Sequence, residues 1–228
     1  QKLIQKLLNR INHRNNIMKA HTLETQTTIT PEKALEILKE GNDRFVQNLK
    51  ANRDLLAQVN DTRAGQWPFA VVLSCIDSRT SAELIFDQGL GDIFSVRIAG
   101  NFANQDILGS MEFGCNVAGS KLIVVLGHSK CGALKGGLDA AAIRGMGMEN
   151  LTHLVDHFNP IIEEIITEGE ERSSKNDDLL ERLNVQNVKQ TIIDIRNQST
   201  TLNQMEKDGK IKIVGANYNV ETGVVSWL

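Results

Sequence analysis

From Pro68 onward, short unbroken apolar runs alternate with longer segments in which apolar residues recur at helical spacing. Runs of this kind predict strands covered on both faces, at 69–74, 93–98, 122–126 and 211–214. Helices are predicted between and after them, near 82–86, 107–117, 133–143, 151–167 and 178–197. Strands alternating with helices in this order predict an α/β fold: a mainly parallel β-sheet with crossover helices. The last segment, 218–228, alternates around Glu221, Thr222 and Gly223, which adds an antiparallel C-terminal edge strand. Residues 173–178 form a polar break between two helices.

The beginning of the chain has a different pattern. Residues 1–23 carry Lys2, Lys6, Arg10, Arg14 and Lys19 but no acid, and Leu3, Ile4, Leu7, Leu8 and Ile11 recur at helical spacing. This is a basic amphipathic helix, read as an N-terminal helical arm that packs on a partner subunit, with targeting or membrane-surface binding as the other reading. A second helix is well signalled: Thr30 can cap it, Pro31 suits its first position and Glu32 places an acid in its first turn, so it should run to about Gln47. Met18, just ahead of it, offers an alternative start of the chain. Two units are therefore expected, an arm or extension at 1–29 and a single domain at 30–228.

Composition narrows the function classes. No apolar run approaches the roughly 18 residues of a membrane span, so no membrane contact is expected. With 25 basic against 28 acidic side chains the net charge is −3, which gives no electrostatic drive towards nucleic acid. The three cysteines, Cys75, Cys115 and Cys131, cannot all pair within one chain. A reduced, cytoplasmic setting is the expectation, with a periplasmic or organellar one if the arm or residues preceding Gln1 act in targeting.

The chemistry concentrates in two stretches. Ser74-Cys75-Ile76-Asp77-Ser78-Arg79 follows the first strand and Gly127-His128-Ser129-Lys130-Cys131-Gly132 follows the third. Both stand at carboxyl ends of strands, where open α/β sheets place their crevices. If the two strands are neighbours, two thiolates and an imidazole converge, a donor set that suits zinc and leaves one of four positions open. An open position is the mark of catalytic zinc, which acidifies a bound water to hydroxide near neutral pH. Asp77 can either complete the tetrahedron as a fourth ligand in a closed state or accept a hydrogen bond at the open position. Arg79 can hold it in the second role by paired hydrogen bonds. The stretch after Gly127 fails as a phosphate loop, because Gly132 is followed by Ala133 where Lys is needed. Cys115 is read as structural, Gly136 and Gly137 as packing glycines, and His13, His21, His153 and His157 as solvated.

Cys75-x-Asp77-x-Arg79 and His128-x-x-Cys131-Gly132, with Arg97-Ile98-Ala99-Gly100-Asn101 between them, resemble the paired motifs of the β-class carbonic anhydrases over about 30–228. The details resemble the plant-like branch with an open active site. The resemblance implies Zn2+ held by Cys75, His128 and Cys131, Asp77 and Arg79 as a catalytic dyad, and reversible hydration of carbon dioxide to bicarbonate and a proton. It further implies a substrate pocket of Gln66, Phe94, Ala99, Phe113 and Gly132. Gln66, Phe94 and Phe113 would be contributed across the interface of a homo-oligomer that is at least a dimer. Phe113 stands where Tyr is common, which removes a hydroxyl from that wall. One branch of the family carries an inhibitory bicarbonate site built on a Trp and an Arg. Here the Arg is Arg97 but the Trp position is Val72, so that site is not expected. Two other functions compete: hydrolysis of carbonyl sulfide or carbon disulfide on the same scaffold, and a non-catalytic zinc-stabilised interaction module. The dyad argues against the second, since a structural zinc site needs four closed ligands and has no use for a separate Asp–Arg pair.

Overall fold

A computed structural model describes residues 17–228. The basic amphipathic stretch built on Leu3 to Ile11 lies outside them. Among the described residues three helices precede the sheet: α1 (Leu23–Thr28), α2 (Pro31–Val46) and α3 (Leu55–Asp61). The capping expected of α2 is present, with the Thr30 hydroxyl accepting from the Lys33 amide at 3.2 Å.

Next come β1 (Ala70–Ser74), α4 (Ala82–Ile85), β2 (Ile93–Arg97), α5 (Gln105–Glu112), a π-helical turn (Phe113–Val117) and β3 (Leu122–His128). They are followed by α6 (Gly132–Leu138), α7 (Ala140–Gly145), α8 (Glu149–Asp156), α9 (Asn159–Ile165), α10 (Asp177–Gln198), α11 (Thr200–Lys207), β4 (Lys212–Tyr218) and β5 (Val225–Trp227). Two predicted helices are each broken in two. The first breaks at Asp139, whose carboxylate turns away to accept the Ser174 amide at 2.9 Å. The second breaks at Phe158, just before Pro160, which has no amide hydrogen and begins a new helix.

The sheet order is β2-β1-β3-β4-β5, parallel except for the antiparallel β4–β5 pair. β1 and β3 are buried along their whole length, as their continuous apolar sequences require. One face packs Val72, Val124 and Leu126 against Leu38 of α2 and Phe86. The other packs Val71, Leu73, Ile123 and Val125 against Met111 of α5 and Val188 and Ile195 of α10. A third apolar cluster, with Leu134, Phe158, Ile162 and Leu183, closes around Cys75 and Cys131 beyond the carboxyl ends of the strands. β2 and the short β5 are the two edges of the sheet.

Two histidines depart from the expectation of solvation. His21 sits edge-on to Phe69 with ring centroids 5.2 Å apart, and His157 stacks on Phe102 at 4.0 Å. Burial lowers the pKa of both. Among the described residues no helix is long and apolar enough to cross a membrane.

Candidate metal centre and active site

The chain runs from β1 to β2 on one side of the sheet and to β3 on the other, so β1 and β3 flank the point where strand order reverses. Their parallel register brings both exits to one edge. Cys75 follows β1, and His128 is the last residue of β3. Lys130, at φ +56, turns the chain back so that Cys131 precedes α6.

The donor atoms of Cys75, His128 and Cys131 lie within 4.8 Å of one another, and all three residues are buried. The two sulfurs are 4.0 Å apart, far too long for a disulfide. Two thiolates at about 2.3 Å from a tetrahedral zinc would stand about 3.8 Å apart, so the spacing fits a shared ion. His128 is oriented for the same purpose. Its Nδ1 faces the Ser129 carbonyl at 3.0 Å, which fixes the proton there, while Nε2 is buried with no hydrogen-bond partner. A hydrogen bond from Cys131 is the main cause that lowers the Cys75 thiol to about 4, against the opposing effect of burial. The same contact, with burial, pushes the Cys131 thiol up.

Asp77 and Arg79 form a paired-hydrogen-bond ion pair, Nε to Oδ1 at 2.9 Å and Nη2 to Oδ2 at 2.7 Å, and the Arg79 amide also reaches Oδ1 at 2.9 Å. These bonds from Arg79 hold the Asp77 carboxyl far below the ordinary carboxylate range. An ionised Asp77 engaged this way can accept a hydrogen bond but has little freedom to swing onto a metal.

The loop carrying Cys75 is held by groups whose part the sequence did not reveal. Arg97 donates to the carbonyls of Cys75 and Asp77, and the Thr80 hydroxyl donates to the same two carbonyls at 3.0 and 2.9 Å. The Gly100 amide donates to Cys75 Sγ at 3.4 Å. A Thr immediately after an Asp-x-Arg turn is the sort of signal that could have pointed to Thr80. Arg97 carries no such local cue, because its targets lie on the neighbouring strand's loop. Tyr218, which pairs with His128 across β3 and β4, is also close enough to the dyad to feel both of its charges.

The expected pocket residues fall into two sets. Ala99, just before Gly100, and Gly132, just after Cys131, adjoin the cluster. Gln66 is exposed in the loop that enters β1, whereas Cys75 lies at the exit, so the strand's roughly 17 Å length separates them. Phe94 pairs with Val71, about 13 Å along the strand from Cys75. Its ring meets Phe113 edge-on at 6.3 Å, and the two line a surface groove along β2 with Arg97 and Ser110. Phe113 is 55% exposed. Cys115, by contrast, is buried in the apolar core, which pushes its thiol up to about 12.

Comparison with known proteins bears on this arrangement. The family profile described as Carbonic anhydrase matches residues 70–225. Carbonic anhydrase 2 of Mycobacterium tuberculosis is 35% identical over 197 residues, 85% of this chain and 90% of that protein. A carbonic anhydrase of Mycolicibacterium smegmatis is 36% identical, covering 86% of this chain and 92% of that one. Among solved structures, the β-carbonic anhydrase CafA of Aspergillus fumigatus superposes with a TM-score of 0.64 at 25% identity, over 86% of this chain and 89% of that chain.

Proposed function

The chain belongs to the β-carbonic anhydrases, an enzyme family, and from that premise we propose that it catalyses the zinc-dependent, reversible hydration of carbon dioxide to bicarbonate and a proton. The observation that carries the proposal is the convergence of three buried donors, Cys75, His128 and Cys131, beside an Asp77–Arg79 pair that is not a fourth donor. A zinc ion held by the three would polarise a water at its remaining position and make it nucleophilic near neutral pH.

The chain's own residues do the rest. Arg79 keeps Asp77 ionised and turned aside, and Asp77 accepts a hydrogen bond from the nucleophile, orienting it towards the carbon of the substrate. Residues 30–228 act as one catalytic domain. The pocket is shared between two copies of the chain: Gln66 of one orients carbon dioxide by its amide, while Phe94 and Phe113 supply an apolar wall for a neutral substrate. Support for sharing comes from position, since Gln66 and Phe94 stand too far along the sheet from their own Cys75 to serve it. The exposed Phe113, packed edge-on against Phe94 of β2, and the exposed Val117 on the same π-helical turn give a second copy apolar surface to cover.

Metal analysis of the Cys75→Ala, His128→Ala and Cys131→Ala variants tests the ligand set. Each should lose zinc and activity together, because two protein donors hold the ion far less well than three. Full zinc occupancy in any one would remove that residue from the set.

A further inference from the structure

Asn187, in the middle of α10, is 0% exposed and belongs to neither the Cys/His cluster nor the dyad. Its Nδ2 donates to the carbonyl of Gly100 at 2.8 Å, joining residues 87 positions apart. Gly100 is the residue whose amide donates to Cys75 Sγ.

The turn at 98–101 explains why this matters. It is closed by the Asn101 amide on the Ile98 carbonyl at 3.0 Å, and Gly100, in its third position, has φ +79. That is the type II form; turning over the Ala99–Gly100 peptide would convert it to type I and point the Gly100 N–H to the opposite side. Glycine alone raises no steric barrier to this change, since it adopts either sign of φ. The restraint must come from the surroundings. Phe158 closes one side, where a Cβ on Gly100 would meet its Cζ at 2.3 Å, and Asn187, bound to the carbonyl of the following Gly100–Asn101 peptide, anchors Gly100 itself in place.

We propose that Asn187 is a positioning residue: by anchoring the Gly100–Asn101 peptide it holds Gly100 against the cluster, at the distance from which the Gly100 N–H reaches Cys75 Sγ, and so sets how much charge that sulfur gives to a bound metal. The inference rests on Cys75 being a metal ligand. Hydrogen bonds to a ligating sulfur draw charge from it, and partners of this kind typically alter metal affinity or activity by about 10–100-fold. If Asn187 were only a tie between α10 and the turn, its loss would lower stability and leave the sulfur's hydrogen bond unchanged.

The test uses the full chain loaded with NMR-active cadmium and labelled with a nitrogen isotope. In the wild type the Gly100 amide proton should show scalar coupling to cadmium, transmitted through the N–H···S bond. Asn187→Leu, close in volume but without a donor, should lose that coupling and hold cadmium about tenfold less well. Asn187→Asp, which keeps the shape and loses the amide donor, gives the same comparison should the leucine variant not fold. Ile195→Ala, a buried apolar position on the same helix, should lose stability with the coupling intact. Wild-type coupling in either Asn187 variant, or cadmium bound without any Gly100 coupling in the wild type, overturns the proposal. Failure of the wild type to bind cadmium at all would instead overturn the metal reading on which it rests.

Discussion

Arg97 grips the loop that carries Cys75 by its backbone: Nε donates to the Cys75 carbonyl at 2.9 Å, and Nη2 reaches the Asp77 carbonyl at 2.7 Å. A guanidinium committed to two carbonyls has few donors left for an anion. Val72, at the position where an inhibitory site would need an indole, is buried in the core and offers no donor. Bicarbonate inhibition is therefore expected to be non-cooperative, with activity declining smoothly as pH falls. Initial rates over a bicarbonate series at several pH values check this, and a sigmoidal inhibition curve would contradict it.

Arg79→Ala should separate metal binding from turnover. The variant keeps all three donors, so zinc content should stay at the wild-type level. Asp77, released from the two hydrogen bonds of the Arg79 guanidinium, becomes free to occupy the position a water needs. Activity should fall by about 10–100-fold, the usual cost of losing a partner just outside a metal's ligand sphere. Near-wild-type hydration by this variant would remove the dyad from the account.

Asp87 makes a pH-dependent contribution to stability. It is buried at φ +45 between Arg44, at 2.5 Å, and Arg53, at 2.6 Å, and it also accepts the Ala51 amide. Burial alone would push its pKa up, but these partners more than reverse that, so the folded value lies below the unfolded one. The unfolded chain then binds more protons between the two values. The stabilisation is complete above about pH 4 and is lost as pH falls through the folded value. Asp87→Asn should cost about 3–5 kcal/mol at neutral pH, because two arginines are left without their carboxylate. Urea unfolding at neutral and acidic pH checks the sign: the gap between variant and wild type should narrow in acid, and a constant gap would contradict it.

The parts of this molecule legible in sequence are those governed by apolar patterning. β1 and β3 read as strands because both faces are covered, and the two motifs at their exits met as expected once those strands proved adjacent. α1 and α3 were missed for a physical reason. Each is anchored by a buried glutamine rather than an apolar stripe: Gln26 donates to the carbonyls of Pro68 and Ala118, and Gln58 accepts the Leu90 amide. On α3 it is Leu55, Leu56 and Val59 that face outward, so a search for hydrophobic period finds the wrong side. The long-range bonds of Arg97 and Asn187 were equally silent, since each depends on where the fold carries a distant carbonyl.

Sharing of the active site can be tested by complementation. Cys75→Ala and Gln66→Ala chains are each expected to be inactive alone. In a mixed dimer one of the two pockets would have both groups intact, so mixing under conditions of subunit exchange should restore part of the activity. Confirmed exchange with no recovery would place Gln66 and Cys75 in the service of the same chain's site, or of none.

If the Cys75, His128 and Cys131 cluster holds a zinc ion used to hydrate carbon dioxide, metal content and hydration must rise and fall together. Stopped-flow hydration, followed on one preparation as isolated, after chelation and after zinc is restored, tests it most directly. One zinc per chain and rapid hydration are expected, both lost on chelation and both recovered together. Zinc bound at this site with no carbon dioxide hydration would contradict it.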